Sequence, residues 1–272
     1  MPAPTSDRPL WDRAATPLAL PGARRRAELA SLPPGLPDLA TLFTFARDAE
    51  LRFATLRLRI EDRTWTAAGE RLEVSDVLIR HPGQARVTTT LSRAADRTAG
   101  PGVGLGGHQV WLGDGRTVRT YSTISRVATE RPARRRVVGL DQADLPGRSR
   151  VYEPLTGLPM ESLPEVFVHP ANYCQNVLAT GACVIAGQTR IAGREAILVE
   201  CDHPRTIEIA ADRPDHRLQV AIDTASGLLV RLVETLGGQT TRLAEATVVE
   251  PGAVLPDGAF ALSVPPDANR IY

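Results

Sequence analysis

A chain of 272 residues, 43% of them hydrophobic, can bury a full core, and a formal net charge of +1 supplies no field toward nucleic acid or an acidic membrane. All 32 basic residues are arginine, which excludes Schiff-base and P-loop lysine chemistry. The length suits one large all-β domain preceded by an arm.

Residues 1–36 are rich in Pro and Gly, carry Arg24-Arg25-Arg26, and show little periodicity, so they are expected to form a loosely held N-terminal arm. Nowhere do about 18 uncharged apolar residues run together, and the first 22 residues lack an apolar run of signal-peptide length. Taken as a native start, this predicts a cytoplasmic protein without an integral membrane segment. Its three cysteines, Cys174, Cys183 and Cys201, are then expected to be free thiols.

The domain is predicted over 37–272. Asp38 is a candidate N-cap, followed by Leu39, Leu42, Phe43, Ala46 and Leu51 at helical spacing. At Phe53 the period drops to two, and Leu56, Leu58 and Ile60 alternate with Arg57 and Arg59, which starts a long strand. Further strands are predicted over 70–80 and 85–91, with Pro82-Gly83 as their turn. Gly102 to Gly107 contains G-x-G-x-x-G, but a strand follows it instead of the helix that a pyrophosphate site needs, so it reads as a hairpin loop. Asp114-Gly115 turns the strand 108–112 into 117–121.

Periodicity weakens over 122–159, where Arg134-Arg135-Arg136 lies, a pattern expected of a long insertion or lid. Short helices are predicted over 160–168 and 171–179. Strands resume at 183–191, 195–201 and 205–209. The run His216 to Leu236 is the strongest hairpin signal in the chain, with Leu218, Val220 and Ile222 alternating up to Asp223-Thr224-Ala225-Ser226-Gly227. Strands over 240–249 and 260–264 close the chain.

The order of these motifs, His81-Pro82 in the second turn, W-x-x-DG-x-T-V-x-x-Y over Trp111 to Tyr121, D-x-x-x-G over Asp223 to Gly227, and Phe260 with Pro265-Pro266, resembles the LolA/LppX/RseB-like superfamily of lipoprotein carriers and lipid-binding proteins. The resemblance covers roughly residues 38–272. It implies a mainly β fold: a single strongly curved antiparallel sheet, an unclosed half-barrel, with helices covering a concave face that holds an acyl chain or another hydrophobic small molecule. Alternation makes one face of such a sheet apolar, and curvature leaves it incompletely filled unless helices or a ligand pack in. The expected ligand-binding residues are Leu56, Leu58, Val74, Trp111, Tyr121, Val220 and Ile222; Trp65 is a further aromatic that either lines a cavity or fills core. His81, Leu163 and Phe167 are expected at the lid and entrance. Carriers of the LolA type place an arginine where this chain has His81, and there it bonds the helical lid.

No H-E-x-x-H, C-x-x-C, G-x-S-x-G or Walker sequence occurs, and no catalytic residue, metal site or cofactor is expected. Cys201, Asp202, His203 and His216 offer zinc-ligand chemistry, but neighbours on a strand point to opposite faces. His169 and Cys174 are five residues apart, a spacing that sends them to different sides of a helix. The expected function is non-enzymatic binding or carriage of a lipid or other hydrophobic molecule. A regulatory protein-interaction module with a protein partner, and an enzyme using the cavity for an apolar metabolite, stand as alternatives.

Overall fold

Asp38 accepts a hydrogen bond from the Thr41 N–H at 2.7 Å and caps helix α1, Leu39–Arg47. The computed structural model describes residues 29–67, 69–93, 107–133, 154–204 and 214–271. A 3₁₀ turn, Ala49–Arg52, leads from α1 into the first strands: β1 (Thr55–Thr66), β2 (Gly69–Arg80), β3 (Gln84–Arg93), β4 (His108–Gly113), β5 (Thr117–Ser122) and β6 (Val127–Pro132). Two short helices follow, α2 (Leu163–Val168) and α3 (Pro170–Asn176). The second run of strands is β7 (Ala182–Ile191), β8 (Arg194–Asp202), β9 (His216–Asp223), β10 (Leu229–Leu236), β11 (Gln239–Pro251) and β12 (Asn269–Ile271).

Among the described residues all twelve strands belong to one sheet in the order β12-β6-β5-β4-β3-β2-β1-β11-β10-β9-β8-β7, and its two edges are not joined. Neighbours are antiparallel except β12, which runs parallel to β6. The sheet curls: β7 meets β11 although three strands separate them, whereas flat strands four positions apart would lie about 19 Å from each other. The fold is the unclosed half-barrel that the sequence predicts.

Register assigns the faces. Leu56, Leu58 and Ile60 stand opposite Ile79, Val77 and Ser75 of β2, and opposite Pro251, Val249 and Ala246 of β11. This inner face packs with Leu42 and Ala46 of α1, Phe167 and Val168 of α2, Cys174 of α3 and Leu178 into one core. Outward, Arg57 pairs with Glu250 and Arg59 with Asp76 at exposed positions; such pairs contribute about 0–1 kcal/mol, so burial of the inner face sets the register.

The hairpin β9–β10 is where helix and sheet lock together. Asp223 Oδ2 accepts from the Ser226 N–H at 2.7 Å, and the Gly227 N–H donates to the Asp223 carbonyl at 2.9 Å. Gly227 has φ +78°, and a Cβ there would come within 3.1 Å of the Phe45 carbonyl oxygen and 3.3 Å of Ala46 Cα. Glycine therefore serves both the left-handed turn and the close approach of α1.

Several expectations are corrected. Residues 260–264 form no strand; the C-terminal segment instead crosses the outer face, where Arg86 Nη1 donates to the Ala259 and Ala261 carbonyls at 3.3 and 2.9 Å and the Arg80 guanidinium stacks over Phe260 at 5.1 Å. That segment ends in β12. Strands β6 and β12 go beyond the elements expected from the sequence, because Val127–Pro132 is short and largely polar and β12 has only three residues. The expected strand 205–209, the triple arginines at 24–26 and 134–136, and nearly all of the Gly-rich loop lie outside the described residues.

Candidate functional site

The inner face has a filled part and an open part. Leu56, Leu58, Val220 and Ile222 are all 0% exposed, and α1, α2 and α3 cover them, so these four expected ligand contacts are core. Phe167, expected at the entrance, is also fully buried in that core. Two expected residues lie on the other face. Val74 stands opposite Glu61 and Thr90, one position out of phase with Ser75 and Val77. Tyr121 stands opposite Val110 and Ala128, and these three are buried on the outer side of the sheet. Trp65, opposite Glu70 near the end of β1, is 38% exposed.

Trp111 and Leu163 are the expected residues that meet at an opening. Beyond the core, the inner face of β1–β4 and the segment entering α2 enclose a cavity of about 480 Å³. Val87, Leu91, Trp111 and Leu163 form its apolar wall, and Asp62, Arg71, Glu73, Glu161 and Arg242 supply its charges. Trp111 is seated by Gly113: a Cβ on that glycine would fall 2.6 Å from the indole, so its absence lets the ring lie along β4.

The charged groups are organised. Arg242 Nε and Nη2 each donate to Asp62 at 2.9 Å, and Nη1 donates to Glu234 at 3.4 Å. Burial works against the charge of Arg242, but these bonds and the two carboxylates outweigh it and hold the guanidinium more firmly protonated than in water. Arg71 Nη2 donates to Glu73 at 2.8 Å. Sequence reading missed Asp62, Arg71, Glu73, Glu234 and Arg242, although a signal was present: Asp62 continues the inward parity of Leu56, Leu58 and Ile60, and a carboxylate on a buried face needs a partner.

His81 joins the turn between β2 and β3 to the strap that leads into the helices. Its ring stacks on Phe53 at 5.1 Å, and Nδ1 lies 2.7 Å from Thr156 Oγ1, which also accepts from the Gly83 N–H at 2.8 Å. The Thr156 carbonyl in turn bonds His169 Nε2 at 3.0 Å, so His81 reaches the helical segment through Thr156. Nε2 of His81 is buried without a partner among the described residues. Burial pushes its pKa down from 6.5 to about 4, so the ring stays neutral across the physiological range.

That depression predicts acid lability of a definite sign. The unfolded chain takes up a proton near pH 6.5 and the folded one only near pH 4, so the stabilisation is complete above pH 6.5 and is lost as pH falls toward 4. Urea unfolding at pH 8 and pH 5 should show wild type losing about 2 kcal/mol more than His81→Gln across that interval. Equal losses in the two proteins would remove His81 as the proton-linked group.

The remaining candidates do not converge. Cys201 is buried on the inner face, whereas Asp202 is exposed and pairs with Arg217. Among the described residues no three His, Cys, Asp or Glu side chains are placed to hold a metal ion, and no helix is long and apolar enough to cross a membrane.

No protein-family model and no curated protein matches the sequence. Among solved structures, the chain is similar to MucB, with 13% identity, a TM-score of 0.47, and coverage of 83% of this chain and 63% of that one. It thus spans less than two thirds of MucB. It is also similar to an uncharacterized conserved protein from Thermus thermophilus, at 9% identity and a TM-score of 0.44 over 86% of this chain and 99% of that one. A third is the lipoprotein LppX from Mycobacterium tuberculosis, at 12% identity and a TM-score of 0.40 over 79% of this chain and 97% of that one.

Proposed function

We propose that the protein binds a single amphipathic small molecule, a lipid or a metabolite of similar character, in the cavity walled by Trp111, Leu91, Val87 and Leu163. The observation that carries this reading is the cavity itself: about 480 Å³ falls within the range of roughly 300–1,000 Å³ usual for small-molecule sites. Its apolar wall suits a hydrocarbon body. Four of its charged groups are paired, Arg242 with Asp62 and Arg71 with Glu73, and the exposed Glu161 lies beside them, so the rim can solvate a polar head. The helix-covered core over β8–β10 and the Leu56–Ile60 part of β1 is packed, which favours the stretch of β1–β4 beyond it as the ligand's place.

Titration with the fluorescent fatty acid cis-parinaric acid tests this. Saturable binding of one probe per chain is expected, with quenching of Trp111. Leu91→Trp, which fills the cavity from a half-buried position, should weaken binding by about tenfold or more while leaving the melting temperature nearly unchanged. Wild-type affinity in a folded Leu91→Trp protein would place the ligand elsewhere.

A further inference from the structure

The pairing of β7 with β8 places Cys183 directly opposite Cys201, both side chains on the inner face. Directly opposed residues on antiparallel strands have Cα atoms about 4.5–5.5 Å apart, inside the ~4.4–6.8 Å span that a disulfide bridges. Both sulfurs are already turned to one point: Cys183 Sγ lies 3.0 Å and Cys201 Sγ 3.4 Å from the carbonyl oxygen of Leu178. Space beside Cys201 is kept by Gly181, where a Cβ would fall 2.7 Å from its sulfur. The thiols differ in access, since Cys183 is half-buried and Cys201 is buried.

From this geometry we infer that Cys183 and Cys201 are a thiol pair built to close a cross-strand disulfide by exchange with a small-molecule disulfide such as oxidised glutathione. Cys183, as thiolate, attacks one sulfur of the oxidant, whose other half leaves as thiolate and takes up the proton that Cys183 gave. Cys201, deprotonated in turn, attacks the Cys183 sulfur and expels the second half in the same way. Two protein thiols are oxidised to one disulfide, and one small disulfide is reduced to two thiols. The Cys201 thiol beside it, which can turn its proton to a Cys183 thiolate, holds the Cys183 pKa below its ordinary value and favours Cys183 as the attacking sulfur.

Closing the bridge leaves no polar group stranded, because the Leu178 carbonyl keeps the Gly181 N–H at 3.1 Å after the thiols withdraw. Cys174, on α3, is excluded from the pair. It is 1% exposed among apolar neighbours, and burial pushes its thiol up to about 12. The bond would tie β7, an edge strand, to β8, so the pair reports redox conditions as the attachment of a sheet edge.

The test is alkylation with iodoacetamide in denaturant, after incubating the native protein with oxidised or reduced glutathione. Of the three cysteines, all should be alkylated after reduction and only Cys174 after oxidation, with a non-reduced peptide linking Cys183 to Cys201. Cys201→Ser should stop at a glutathione adduct on Cys183, and Cys174→Ser should bridge as wild type does. Three alkylated cysteines after oxidation, an unresolved adduct in the wild type, or a bridge to Cys174 would each overturn the assignment.

Discussion

Val220→Asp and Leu58→Asp are each expected to abolish stable folding at room temperature. Both side chains are 0% exposed on the inner face of the half-barrel, on β9 and β1, and both belong to the single core that the helices cover. Each substitution removes a packed aliphatic group, which costs about 2–5 kcal/mol. It also buries a carboxylate without a partner, which costs several kcal/mol more or forces protonation. Domains of this kind are stable by about 5–15 kcal/mol in total, so the combined loss consumes most or all of it. Thermal melts followed by circular dichroism read the result. Arg57→Ala, on the outer face of β1, is the control and should stay within about 0.5 kcal/mol of wild type. If either aspartate variant melts within a few degrees of wild type, the inner face has been assigned to the wrong set of residues.

Asp223→Ala is expected to cost about 3–5 kcal/mol, at the opposite, polar end of the same hairpin. Asp223 is 1% exposed, and its carboxylate accepts from Arg194 Nε and Nη2 at 2.8 and 2.9 Å and from the Ser226 N–H at 2.7 Å. Removing it leaves Arg194 without its carboxylate and opens the turn that receives α1 at Gly227. Arg194 retains 26% of its side-chain exposure and can turn to water, which favours the lower end of the range. Asp223→Asn keeps the shape and one acceptor oxygen, so its cost should fall between wild type and alanine. Chemical denaturation of the three proteins measures this order. Equal stability of all three would show that the turn is held by its backbone bonds alone.

Features whose causes are local were legible in the residues alone. Asp38 ahead of an apolar helical stripe, the strict alternation of Leu56, Leu58 and Ile60, and the Asp223-to-Gly227 turn each act over a few residues, so reading them in order was enough to place α1, β1 and β9–β10. Motif order carried the half-barrel as well.

Features that depend on phase and on distant partners became definite only in the folded chain. In β2 both parities hold apolar residues, Leu72, Val74 and Leu78 on one side and Val77 and Ile79 on the other. Alternation alone therefore could not say that Val74 faces outward; pairing with β1 does. Tyr121 faces outward because the β4–β5–β6 register sets it between Val110 and Ala128, and on that same side the sheet is extended by β12 beside β6, a contact between segments more than 130 residues apart. Which part of the inner face is core and which is cavity follows from where α1, α2 and α3 come to rest, and no single strand encodes that. Cys183 meets Cys201 because the β7–β8 register places them opposite each other. In each case the deciding interaction joins residues on different elements, and its geometry exists only once the strands have paired in register and the helices have docked.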